Sequence, residues 1–110
     1  MVFEKEGNTI TIVIEKSTVN DFITDLTDAF NEIKENHIII NLLSFDVLTL
    51  DKAIAFMSLS RKHRSAKKSF VLVTNQVSYD DVPEELCIVP TIQEAKDFIE
   101  MEEIERDLGL

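Results

Sequence analysis

The sequence has little of the chemistry that catalytic and ligand-binding sites usually need. Its 110 residues include one cysteine, two glycines, two prolines, two histidines and no tryptophan. A single cysteine excludes an intrachain disulfide framework. With only Gly7 and Gly109, no glycine-rich loop can bring the backbone close to a phosphate, which argues against P-loop and Rossmann-type nucleotide binding. No apolar run approaches the ~18 residues that a membrane span needs.

The reactive residue types that are present stand alone. His37 and His63 have no second histidine or cysteine at metal-ligand spacing, and we expect both to lie on the surface or at a strand edge. Cys87 adjoins a short apolar run and is expected to be a small buried side chain. Ser44 lacks the G-x-S-x-G frame of a nucleophile elbow. We therefore predict no enzymatic activity, no metal site and no cofactor.

Negative charge dominates the composition. Twenty-one Asp and Glu residues oppose eleven Lys and Arg residues, which gives a net charge of −10. A polyanionic backbone would be repelled, so we predict no nucleic-acid partner. The acidic excess lies between Asp80 and Asp107, whereas "RKHRSAKK" is the one basic cluster. That cluster complements the negative end of a helix dipole, or it docks an acidic partner such as the tail of a second copy.

Nothing at Met1 looks like a signal peptide, with a basic segment followed by an apolar one. Together with the single cysteine and the absence of a long apolar run, this leads us to expect a cytoplasmic protein without a membrane partner.

Hydrophobic periodicity predicts strands that alternate with helices. Gly7 and Asn8 form a turn signal between two short alternating runs, which is typical of a β-hairpin. "HIIINLLSF" is a nearly continuous apolar run, typical of a central strand buried on both faces. The predicted order is β-β-α-β-α-β-(α)-β-α, from the segments VFEKEGNTITIVIE, STVNDFITDLTDAFNEIKENH, HIIINLLSF, about 50–66, SFVLVTNQ, a turn after 83, CIVP and TIQEAKDFIEMEEIERDLGL. Parallel pairing is expected after the hairpin, within one domain over 1–110.

The helix predicted over about 50–66 carries more apolar side chains than one face can bury. At helical spacing one face holds Leu50, Ala53, Ile54 and Met57. Phe56 and Leu59 lie well off that face, and we expect them to form an exposed contact patch.

The last helix has a similar surplus. Ile92, Ala95, Phe98 and Ile99 share one side. A second stripe on nearly the opposite side consists of Met101, Ile104 and Leu108. One straight helix cannot pack both stripes on its own sheet. Either the helix breaks near Glu100, or residues 101–110 form an acidic tail that folds back, binds a partner or joins a second copy in a homodimer.

The arrangement resembles the STAS domain, the fold of the anti-sigma-factor antagonists. The likeness runs from Thr9 to Glu100 and rests on the hairpin, the helix, "HIIINLLSFDVLTLDKAIAFM", "SFVLVTN" and "IVPTIQEAKDFIE". It implies a STAS-like (SpoIIAA-like) α/β fold, with a mixed sheet of four to five strands and helices packed mainly on one face.

In that family a serine or threonine opens the helix after the central strand, and a partner kinase phosphorylates it to break a complex. The resemblance places Asp51 at the serine position, Lys52 at the usual glycine position and Thr49 at the usual aspartate position. A carboxylate at a helix N-terminus is favoured by the dipole but cannot accept phosphate from a serine kinase. Asp51 is therefore a permanently charged version of the switch or simply a helix start, and Thr49 remains as a candidate hydroxyl acceptor.

The resemblance implies a non-catalytic domain for regulatory protein–protein interaction in a bacterium. The expected contact surface is the loop 45–51, the exposed side of the next helix, and the tail. Its residues are Phe45, Asp46, Leu48, Leu50, Phe56, Leu59, Met101, Ile104 and Leu108. The alternative is a receiver-like signalling domain that accepts phosphate on an aspartate. A receiver begins strand-helix and places lysine before a late proline, whereas this chain begins with a hairpin and has Val89 before Pro90.

The segment "IVPTIQEAKDFIEMEEIERDLG" also resembles small STAS-like bacterial proteins that carry the label ribonuclease Z. The enzyme of that name needs a cluster of histidines and aspartates for zinc. The two separated histidines of this chain do not supply such a cluster, so we do not expect that activity.

Overall fold

A computed structural model describes residues 2–14, 18–45 and 47–109 of the chain. It contains one five-stranded sheet and four α-helices. The elements are β1 (Val2–Glu6), β2 (Thr9–Val13), α1 (Val19–Ile33), β3 (His37–Asn41), α2 (Leu50–Ile54), α3 (Met57–Ser65), β4 (Phe70–Val73), β5 (Cys87–Val89) and α4 (Ile92–Asp107), with a 3₁₀ turn at Tyr79–Asp81. Within these described ranges no helix is long and apolar enough to cross a membrane.

The strands lie in the order β1-β2-β3-β4-β5, with β1 antiparallel to β2 and all later pairs parallel. The hairpin turns at Gly7, whose φ of 60° falls in the left-handed region that glycine tolerates best. The expected hairpin, the parallel pairing and the mixed α/β sheet are confirmed. Parallel crossovers are almost always right-handed, so crossovers that step in one direction along the sheet put their helices on one face. The helix α4 follows the last strand and has no such constraint.

Three helices cover one face of the sheet and build the main core. The inward row of side chains, Ile10 and Ile12 of β2 and Ile14 just after it, is buried as the alternation predicts. Apolar side chains of α1, α2 and α3 pack against this row and against Ile38 and Ile40 of β3. Side-chain caps begin α1 and α4, because the Thr18 hydroxyl accepts from the Asp21 amide and the Thr91 hydroxyl accepts from the Glu94 amide.

The second face carries a smaller core under α4. Ala95 and Ile99 of α4 pack on Ile39, Val71 and Val73 of the two central strands. Both faces of β3 are therefore buried, as its continuous apolar sequence predicts. Along β2 the same face bears threonines, and a groove of ≈200 Å³ beside α4 is lined by Thr9, Thr11, Glu6, Lys96, Ile99, Glu100 and Glu103.

The helix predicted over about 50–66 is two helices, so that prediction is wrong. At Phe56 the backbone N–H bonds to the carbonyl of Ala53, three residues back, which tightens the turn between α2 and α3. Phe56 and Leu59 point inward, where they are 0% and 6% exposed, on the same buried side as Ala53 and Met57. The Phe56 ring packs against Phe22 of α1 at a centroid distance of 6.1 Å. The expected exposed patch of Phe56 and Leu59 is thus wrong, and both belong to the core.

The last helix does not break near Glu100. α4 runs without interruption from Ile92 to Asp107. Met101, Ile104 and Leu108 do not fold back onto the domain and are 51%, 53% and 69% exposed. The apolar part of the inward face ends at Ile99, and polar side chains follow it.

Both histidines are buried, so a surface position is wrong for both, whereas the alternative of a strand edge fits His37, the first residue of β3. His63 lies between the rings of Phe30 and Phe70, and its Nε2 lies 2.7 Å from the carbonyl oxygen of Asn36. His37 begins β3 and pairs with Glu103. Each imidazole can be buried because it pairs with a group far away in the sequence, a backbone carbonyl for His63 and a carboxylate for His37.

Candidate docking loop

The loop between β3 and α2 leaves the carboxyl edge of the sheet through a short turn of its own. The Asn41 side-chain carbonyl accepts a hydrogen bond from the Leu43 amide at 3.0 Å, which is an Asx turn. The Phe45 amide donates to the carbonyl of Leu42 at 3.0 Å. Leu42 itself is fully buried. The buried Leu42 side chain therefore anchors the first half of the loop, and the Asx turn directs the chain from Leu43 towards solvent.

A single glutamine side chain holds the second half of the loop. Gln76 follows β4, and its side-chain oxygen accepts from the Leu48 amide at 2.8 Å. Its side-chain nitrogen donates to the carbonyl of Phe45 at 2.7 Å. The backbone N–H of Gln76 in turn donates to the hydroxyl of buried Thr74 at 3.1 Å. The two polar groups of Gln76 thereby fix the loop at two backbone positions from the neighbouring strand.

Thr49 and Asp51 stand at the start of α2 as the sequence predicts. Thr49 is the N-cap, and its hydroxyl accepts from the Lys52 amide at 3.4 Å. Asp51 lies in the first helical turn, where a negative charge is favoured by the unpaired backbone amides. Both side chains are exposed. The Lys52 ammonium lies 5.8 Å from the centroid of the Phe45 ring.

The loop presents apolar side chains to solvent while two others secure it. Leu43, Val47 and Leu50 are 42%, 61% and 39% exposed. Leu48 is buried and Phe45 is partly buried against the main core. Exposure of Leu48 on the contact surface was therefore a wrong expectation, because this side chain anchors the loop. Asp46, which the sequence analysis also placed on the surface, lies outside the described residues.

A cleft of ≈490 Å³ adjoins the loop at the carboxyl ends of β4 and β5. Gln76 lines it together with Val77, Tyr79, Ile88 and Pro90 among others. The Tyr79 ring is 70% exposed. The loop and the cleft thus form one surface at the edge where open α/β sheets commonly bind their ligands.

Cys87 and the two histidines do not belong to this loop. Burial raises the pKa of the Cys87 thiol to about 11, so it stays protonated near neutral pH. The His37 Nδ1 accepts from the Ser69 amide at 2.9 Å, and burial lowers the pKa of both histidines. Within 2–14, 18–45 and 47–109, no group of three His, Cys, Asp or Glu residues could hold a metal ion.

Comparison with known proteins supports the fold. No family model matches the sequence, and no curated protein matches it either. One similar solved structure is RsbS of Moorella thermoacetica with the substitution S58E in its own numbering. It has a TM-score of 0.66 and 15% identity over 90% of this chain and 93% of that chain. Another is the NMR structure of the protein TM1081, with a TM-score of 0.66 and 17% identity over 89% and 86%.

RsbS is a STAS-domain protein, so the STAS-like fold expected from the sequence is confirmed. At these identities the likeness establishes the fold alone. The resemblance to proteins labelled ribonuclease Z is not tested by these findings and stays a prediction.

Sequence reasoning found the loop but missed what holds it. Thr49, Leu50 and Asp51 lie together at its end, as expected, but the role of Gln76 was not predicted. Its sequence neighbourhood, "TNQVS", reads as an ordinary turn. The one available signal was that parallel strands end at the same edge, so the residues after β4 must approach those after β3.

Proposed function

We propose that the protein is a non-catalytic regulatory domain that binds a protein partner through the loop between β3 and α2. The observation that carries the proposal is the exposure of Leu43, Val47 and Leu50 on a loop that Gln76 holds in place. A preorganised loop loses little entropy on binding, so its apolar side chains contribute more of their burial to affinity. The STAS-like fold supports the regulatory class.

We further propose that Asp51 makes the start of α2 permanently negative. The similar structure of RsbS S58E carries glutamate in place of a serine, which supports an acidic residue being tolerated in this fold. Thr49 is the alternative modification site. Its hydroxyl is exposed but serves as the N-cap, so a phosphate there would replace a weak cap with a strong negative group at a helix N-terminus.

The protein partner, the cytoplasmic location and the bacterial setting are part of this proposal and rest on the sequence. Self-association into a homodimer is the second form that a protein partner can take. Binding through the loop does not require it, since the loop surface is exposed in the single chain.

A quantitative pull-down tests the loop. The immobilised protein would be compared with the variant Leu43→Ser, Val47→Ser and Leu50→Ser in lysate of the cells that produce it. The control is Val2→Ser with Phe3→Ser, which removes exposed apolar side chains from the edge strand β1, two strands away from β3. We expect proteins enriched by the wild type to remain with the control and to fall at least about tenfold with the loop variant, a loss of about 1.4 kcal/mol.

Equal enrichment by the loop variant and the wild type would contradict the proposal, as would a wild type that enriches nothing over empty resin. Tm values for all three proteins ensure that lost binding does not reflect lost folding. The receiver-like alternative is checked by intact-mass measurement after treatment with acetyl phosphate. One added phosphate that Asp51→Asn abolishes would favour it over docking alone.

A further inference from the structure

The last turns of α4 are attached to the domain by polar groups instead of apolar ones. After Ile99, the side chains that face the domain are Glu102, Glu103 and Arg106, all partly buried. Glu102 accepts from Ser69 Oγ at 2.7 Å and from an Arg64 nitrogen at 3.0 Å. A carboxylate with several charge-assisted partners is firmly placed.

Two further contacts fix the same turns. The Glu103 carboxylate lies 2.8 Å from His37 Nε2, and Arg106 donates to Ser69 Oγ at 3.2 Å. The inward side of the helix is thus occupied over its whole length. These contacts hold the outward side of α4 in one orientation relative to the sheet.

That outward side carries a continuous apolar stripe. Met101, Ile104 and Leu108 are three and four residues apart, which is the spacing of one coiled-coil seam. Each is more than half exposed. An apolar seam on a rigid helix is suited to pack against another amphipathic helix, by the same geometry that joins helices within proteins.

The residues beside the stripe determine which helix fits. On the helical wheel Glu100 and Asp107 border the stripe on one side and Glu105 on the other, and all three are exposed. Two copies paired along this seam would bring acids against acids, which is unfavourable. A partner with lysine or arginine beside its seam would instead pair with them.

A second copy does not offer such a partner through its basic cluster. The exposed side chains of α3 are Ser58, Arg61, Lys62 and Ser65. They supply positive charge but no apolar row that could fill the seam. Charge complementarity and apolar packing together therefore favour a different chain.

We propose that the stripe Met101, Ile104 and Leu108 binds an amphipathic partner helix whose apolar seam is bordered by basic residues. This site is separate from the loop between β3 and α2 and does not depend on it. Affinity comes from apolar contact along the seam, and selection comes from the acids beside it.

The test uses a designed helical peptide of about three heptads, with leucine at the seam positions and lysine at the flanking ones. A second peptide has glutamate at the flanking positions. Fluorescence anisotropy at physiological salt would measure the binding of each to the full chain. We expect the lysine peptide to bind at least about tenfold more tightly than the glutamate peptide.

Two variants separate the seam from the charge. Met101→Ser with Ile104→Ser and Leu108→Ser keeps every acid, whereas Glu100→Gln with Glu105→Gln and Asp107→Asn keeps the seam. Each is expected to weaken the lysine peptide by about tenfold or more, without a change in Tm because all six side chains are exposed. Unchanged affinity in the serine variant would mean that charge alone attracts the peptide, and would overturn the proposal.

Two controls complete the design. Val47→Ser with Leu50→Ser should leave peptide binding unchanged, so a failure of the loop proposal does not affect this result. Light scattering over a range of concentrations should give the monomer mass. A dimer that the serine variant abolishes would show that a second copy occupies the seam, and would overturn the choice of partner.

Discussion

The two faces of the sheet are closed in different ways. Under α1, α2 and α3 the packing is almost entirely aliphatic and aromatic, and many side chains there have no exposed surface. Under α4 the apolar contact is small, and beyond Ile99 a set of charged side chains takes its place. The first face derives most of its stability from the burial of apolar side chains. The second depends partly on charges, so the stability of its outer turns should fall as the ionic strength rises.

The largest expected effect comes from the first face. Phe56→Ala should lower the free energy of unfolding by about 3–5 kcal/mol, because it leaves a large cavity beside Phe22. Urea unfolding followed by circular dichroism measures it. The matched control is Leu50→Ala, a change on the exposed side of α2 that should cost well under 1 kcal/mol. Similar small losses for both would mean that Phe56 is on the surface after all.

A smaller effect is expected from the charged set on the second face. Glu102→Gln should lower the free energy of unfolding by about 1–3 kcal/mol, because it leaves Arg64 and Arg106 without their shared carboxylate. Urea unfolding measures the loss, and amide exchange should accelerate in the last turns of α4. Exposed Glu105→Gln on the same helix serves as the control. A loss from Glu102→Gln no larger than that from Glu105→Gln would contradict the role given to the Glu102 carboxylate.

The pH dependence should come from both faces through the histidines. Burial lowers the pKa of His63 in the folded chain below its ordinary value near 6.5. The unfolded chain then binds a proton that the folded chain does not, so stability is full above about pH 7 and falls as the pH drops through about 6.5. Each unit of pKa difference corresponds to about 1.4 kcal/mol.

His63→Gln should flatten this acid slope in urea unfolding between about pH 7.5 and 5, the range in which histidine titrates, because glutamine can still donate to the Asn36 carbonyl. The slope that remains belongs to His37, whose pKa burial also lowers. A His63→Gln slope as steep as that of the wild type would show that His63 does not titrate differently on unfolding.

The smallest effect is expected at a surface ion pair. Arg61 and Glu85 pair on the outside of the first face, and both side chains are more than half exposed. Solvent screens such pairs, so Arg61→Ala should leave the unfolding midpoint unchanged within error. A loss comparable to that of Glu102→Gln would contradict the distinction drawn between exposed and partly buried charges.

Local patterns predicted much of the fold because local physics determines it. The hairpin followed from Gly7 and Asn8, and the central strand buried on both faces followed from the continuous apolar run "HIIINLLSF". Each of these depends on neighbours within a few residues. The break between α2 and α3 was missed because residues 50–66 contain no proline or glycine that would mark it.

Long-range partners account for the rest. The sequence around each histidine does not reveal its partner. In the folded chain His37 pairs with Glu103, and His63 pairs with the Asn36 carbonyl. The role of Gln76 could not be predicted for the same reason, since its two hydrogen bonds join residues about thirty positions apart in the sequence. The loop itself was predictable from the end of the apolar strand, but the two hydrogen bonds from Gln76 that hold it were not.

Photo-crosslinking from position 47 tests the central claim, that this loop is a docking surface, most directly. Val47 would be replaced by p-benzoylphenylalanine in the producing cells, with Phe3 on β1 replaced in the same way for comparison. The account predicts discrete protein adducts from position 47 that are absent from position 3. No adduct from position 47, or the same adducts from both positions, would contradict it.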